Sequence, residues 1–89
     1  MARYEIAEID SASLAPVNAS GEAFYELGMM YASGRSVPAD LVLAHKWFNL
    51  AAMRGNADAV RLRREIAEEL SENEIAAAQR AARDWLTVH

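Results

Sequence analysis

The spacing of apolar positions changes at Ser20. Before it, Tyr4, Ile6, Ile9 and Leu14 fall at irregular intervals and lead into SASLAPVNAS, a run of small and loop-forming residues broken by Pro16. That pattern predicts an N-terminal arm or linker over residues 1–19, with a short strand or helical turn around Ile6, ordered only where it docks. From Ser20 onward apolar residues recur at three- and four-residue steps, the signature of helices with one buried face. The first helix carries Ala23, Phe24, Leu27 and Tyr31 with Gly28 alongside. Ser20 or Asn18 is its expected N-cap, Glu22 suits the positive helix start, and Gly34 supplies the stop. The connector GRSVPAD lets Val37 plug the core and offers Asp40 as the next cap. A second helix over about residues 41–54 places Ala44, Trp47, Phe48, Ala51 and Ala52 on one broad face and ends at Gly55. Asn56 or Asp58 opens a third, over about 57–70, with Ala59, Leu62, Ile66 and Leu70 in a stripe. The segment Ser71 to Glu74, SENE, has the form of a capping box. A fourth helix then runs to about residue 86 with Ile75, Ala78, Ala82, Trp85 and Leu86 facing inward. Four helices with short joints predict an all-α fold of antiparallel neighbours.

Composition narrows what such a fold does. Eighty-nine residues make one small domain at most, of a size whose core is marginal without extra support. Much of the 53% apolar content is alanine, the best helix former, so the chain is more helix-rich than greasy. The absence of cysteine excludes a disulfide framework, thiolate metal ligands and a cysteine nucleophile. No stretch approaches the roughly 18 apolar residues of a membrane span. The start MARYEIAEID has no apolar core of a secretory leader, so the expected location is the cytoplasm.

Net charge is −4 and lies in the first half. Residues 1–40 hold two arginines against six acidic side chains, whereas residues 41–89 balance seven basic with seven acidic ones. A general nucleic-acid binder carries a basic excess, so no nucleic-acid partner is expected. No phosphate loop, paired metal-ligand spacing or serine nucleophile motif is present, and the expectation is a non-enzyme with no cofactor and no metal.

At residues 23–59 the spacing is more specific than amphipathicity. Ala23, Leu27-Gly28, Tyr31, Gly34, Val37, Asp40, Ala44, Trp47-Phe48, Ala51-Ala52, Gly55 and Ala59 resemble the signature of the Sel-1-like repeat, a relative of the tetratricopeptide repeat. The resemblance covers about two-fifths of the chain. It implies antiparallel helix hairpins stacked in a right-handed α/α superhelix, with residues 20–56 as the repeat and residues 57–89 as a C-terminal capping hairpin. It also implies a scaffold or adaptor that binds another protein or peptide or self-associates as a homodimer, with a purely structural or regulatory subunit of a larger assembly as the alternative. Gly28, costing about 1 kcal/mol in a helix interior, is expected to let the second helix approach closely, with Ala44 and Ala51 opposite it. Two departures stand out. Ser36 replaces the second loop glycine of the pattern, which predicts a different turn or one strained φ angle. The pattern also does not recur, because Arg63-Arg64 stand where the next Leu-Gly would fall.

Members of that family keep polar residues between the signature positions of the second helix, but Leu43, Leu50 and Met53 are apolar here. They form a second stripe that the N-terminal arm, a second copy of the chain or a foreign protein would cover. The resemblance also implies a second candidate contact surface, the shallow groove of the first helix around Phe24, Tyr25 and Met29, the usual binding side of such repeats. The other surface features have plainer readings. Arg61, Arg63 and Arg64 precede Glu65, Glu68 and Glu69 closely enough to form a solvated, paired helix face. His45 is a surface or packing histidine, with no second catalytic group beside it. Of Met29 and Met30, at least one belongs to the core rather than to an adaptable groove.

Overall fold

The computed structural model describes residues 20–88, and the expected arm at residues 1–19 lies outside them. Four helices follow one another: α1 (Gly21–Ser33), α2 (Leu41–Met53), α3 (Ala57–Ala67) and α4 (Glu72–Val88). They hold 78% of the described residues, with no strand among them, so the fold is all-α.

Each start is set by a short polar side chain. The Ser20 hydroxyl accepts from the Ala23 amide at 3.3 Å, Asp40 from Leu43 at 3.1 Å and Asn56 from Ala59 at 2.9 Å. Ser71 and Glu74 form the reciprocal box: the Glu74 amide donates to the Ser71 hydroxyl at 3.1 Å, and the Ser71 amide donates to the Glu74 carboxylate at 2.8 Å. Each such cap satisfies donors that the first helical turn leaves without partners. Helix α1 stops at Gly34, whose φ of +76° suits a residue without Cβ and whose amide donates to the Met30 carbonyl at 2.9 Å. The connector then ties back, with the Asp40 amide donating to the Tyr31 carbonyl at 3.0 Å. Ser36 has φ +72°, so the expected strain at this position is present.

Helix α3 ends three residues earlier than its apolar stripe predicts. Residues 68–70 form a tight turn in which Glu69 donates to Ile66 and Leu70 to Ala67. Two glutamates at a helix C-terminus oppose its dipole, and the tighter turn still leaves Leu70 packed against the core.

Helix α2 is the centre of the molecule. The principal helix contacts are α1 with α2, α2 with α3 and α2 with α4. The residues buried on α2 are Ala44, His45, Trp47, Phe48, Leu50 and Ala51, more than half of its circumference at 100° per residue. The hairpin of α1 and α2 closes tightly at its open end. A Cβ on Gly21 would lie 3.2 Å from the Ala51 carbonyl and 3.3 Å from that of Arg54. At mid-helix, a Cβ on Gly28 would stand 2.6 Å from the Phe48 ring. Phe48, and not the expected Ala44 and Ala51, fills the space that Gly28 leaves.

Aromatic rings join α1 and α4 to α2. Phe24 of α1 stacks on Trp47 at 5.8 Å between centroids and meets Trp85 of α4 edge-on at 5.3 Å. Trp47 and Trp85 close the triangle at 5.8 Å in a T-shape, and Lys46 Nζ lies 4.4 Å from the Trp47 ring centroid. Offset and edge-to-face pairs of this kind add about 0.5–1.5 kcal/mol each beyond the area they bury. On α4, Ala78, Ala82 and Trp85 are buried as expected and Ile75 is half-buried. Leu86 is not inward: it is 37% exposed, because Trp85, one residue earlier, takes the inward direction.

Candidate protein-contact surface

Phe24 and Tyr25 are neighbours in sequence but stand 100° apart on α1. The buried face of that helix is Phe24, Leu27, Gly28 and Tyr31. Phe24 has no exposed surface, being enclosed by Trp47 and Trp85, so it lines no groove. The opposite face carries Glu22, Tyr25, Glu26 and Met29, spaced three and four residues apart and therefore contiguous. Tyr25 and Met29 are half-buried there and both glutamates are exposed. The Tyr25 ring leans on Phe48 at 5.8 Å with a 54° tilt, so Phe48 supports it from below while one side stays open to solvent. Helix α1 holds no basic side chain. Its outer side is thus an apolar pair bordered along one edge by two negative charges.

The second candidate stripe comes apart in the structure. Leu50 is 1% exposed and belongs to the core. Leu43 is half-buried against that core, and Met53 is 58% exposed at the end of α2. The seven- and three-residue steps that align them hold on an isolated helix. On α2 the buried arc is wide enough to take in Leu50, whereas Met53 falls on the solvent side with Val42 and Lys46. Docking of residues 1–19 on this stripe lies outside the described residues. Met29 and Met30 are both half-buried and packed against the core, so neither is wholly interior.

The three arginines of α3 also separate. Arg61 pairs with Glu65 at 3.3 Å with both side chains 58% exposed, an arrangement that contributes little to stability. Arg63 instead turns toward α2, where Nη1 donates to Asn49 Oδ1 at 2.6 Å. The sequence grouped Arg63 with a solvated face, but it is half-buried at a helix joint. His45, one turn before Asn49 on α2, is 3% exposed. Burial, and after it the positive charge of Arg63, lower its proton affinity below that of an ordinary histidine. The Lys46 ammonium is likewise less basic than usual because it is partly desolvated. Among the described residues no group of three or more metal-ligating side chains comes together, and no helix is long and apolar enough to cross a membrane.

Compared with protein-family models, with curated proteins and with solved structures, the chain matches none of them.

Proposed function

We propose that this chain is a non-catalytic protein-contact module, a small scaffold or adaptor of the Sel-1-like repeat type. In this reading the outer side of α1 receives a segment of another protein that combines apolar anchors with basic side chains. The carrying observation is the strip Tyr25–Met29 bordered by exposed Glu22 and Glu26, on a helix that itself holds no basic side chain. Complementary charge steers such a partner and rejects acidic ones, while a ring held from below by Phe48 provides an anchor with little ordering cost. The signature residues support the repeat-type reading: Gly28, Tyr31, Ala44, Trp47, Phe48 and Ala51 are all buried along one hairpin. The reading places the chain in the cytoplasm, a reducing compartment in which a protein without cysteine forgoes nothing.

Two labelled helical peptides of equal apolar content, one with lysine and arginine flanks and one with glutamate flanks, test this by fluorescence anisotropy. The basic peptide should bind, more weakly as salt rises. Tyr25→Ala and Glu26→Lys should each weaken it about tenfold, a loss on the order of 1.4 kcal/mol. Equal binding of both peptides, binding of neither, or a Tyr25→Ala variant that binds as the parent does would overturn the reading. Light scattering on the same samples separates this from self-association through Met53. A concentration-dependent dimer abolished by Met53→Glu, with no peptide binding, would make a second copy the partner.

A further inference from the structure

His45 is the buried charged or polar residue of the described core. Its Nδ1 has no hydrogen-bond partner, although it is shielded from solvent. The imidazole shares the side of α2 on which Asn49, four residues on, accepts the Arg63 guanidinium of α3 at 2.6 Å. A neutral ring is tolerated in such a place at the cost of one unsatisfied acceptor. An imidazolium is not, because both ring nitrogens then donate and a full charge is buried. Among the described residues, Arg63 of α3 is the charge that acts on the ring from a neighbouring helix. Lys46, beside it on α2, directs its ammonium over the Trp47 ring. Both groups are cations, so neither offsets an added proton.

We propose that the α2–α3 joint is an acid-sensitive latch, in which proton uptake at His45 drives α3 off α2 beside the Arg63–Asn49 bond. The sign follows from the two states. The open or unfolded form has an ordinary histidine that takes up a proton near pH 6.5, while the closed form resists it. Above about pH 6.5 the joint is unaffected, and closure weakens as pH falls through that value. The loss approaches tenfold per pH unit until the closed form itself takes up the proton.

Amide hydrogen exchange on the full chain at pH 7.5 and pH 5.5, corrected for intrinsic rates, tests the latch. Protection in α3 should fall about tenfold, and more than in α1. His45→Gln, which is neutral at both values, should abolish the difference. If His45→Gln fails to fold, Arg63→Met provides the same test by removing the opposing charge, and the fall in protection should shrink. An NMR titration of the parent imidazole should give a midpoint below 6.5. The proposal is overturned by an unchanged α3 loss in the folded His45→Gln variant, by an unchanged loss in Arg63→Met, by an equal loss in α1 and α3, or by a His45 midpoint at or above 6.5.

Discussion

Gly28 and Phe48 form the tightest fit between α1 and α2: three atoms of the ring lie 2.6–2.9 Å from where a Cβ on the glycine would stand. Glycine inside a helix costs about 1 kcal/mol relative to alanine, and here that cost lets an aromatic ring lie on the backbone. Phe48 is completely buried, so it has nowhere to retreat. Overpacking of this kind costs about 1–3 kcal/mol, more than alanine returns in helix propensity. Gly28→Ala should therefore lower the urea midpoint, with a net loss of up to about 2 kcal/mol. Gly28→Ala combined with Phe48→Leu should cost less than the sum of the two single changes, because the smaller side chain removes the clash. Strict additivity would show that the ring is not what excludes the methyl.

Ser36 offers the opposite case. It is exposed and holds φ +72°, a region that costs an L-residue about 1 kcal/mol. Ser36→Gly should raise the denaturation midpoint by the equivalent of about 0.5–1 kcal/mol, and Ser36→Val should lower it. Since the side chain is exposed, packing offers no competing explanation. An unchanged midpoint in both variants would mean that the loop relaxes freely.

Phe24 and Tyr25 separate core from surface within one step of the chain. Phe24→Ala removes a ring that touches both Trp47 and Trp85 and should cost about 3–5 kcal/mol, much of the stability of a domain this small. Indole fluorescence should then resemble that of the denatured chain. Tyr25→Ala leaves those rings in place and should keep the parent spectrum, with a loss of under about 1.5 kcal/mol. Comparable losses in the two variants would remove the basis for treating Tyr25 as a contact residue.

Much of this molecule was legible in one dimension. The caps Ser20, Asp40, Asn56 and Ser71 act within three residues of themselves, and helix periodicity is likewise a short-range property. Four helices, their starts and the stop at Gly34 could therefore be read directly from the residues, whereas the strained φ at Ser36 was one of two outcomes that the repeat resemblance implied. Ala59, Ile66, Ala78 and Trp85 were placed correctly for the same reason, since each sits on a stripe bounded by polar neighbours.

What tertiary structure alone decided was which apolar residues remain at the surface. Periodicity gives the direction of a side chain around its own axis, but not how many helices surround that axis. Because α1, α3 and α4 all pack on α2, its buried arc takes in Leu50, which looked available from the sequence, and decides His45 as a packing rather than a surface histidine. It leaves out Met53, which lies on the solvent side. The same crowding chose Phe48 over Ala44 and Ala51 as the partner of Gly28, and drew Arg63 away from its neighbours to Asn49. The sequence by itself determined the helices and their ends, because hydrogen bonds and rotational period are local. Burial depends on the assembled neighbours, so the withdrawal of Phe24 from the candidate contact strip and the His45 joint emerged only when the helices were brought together.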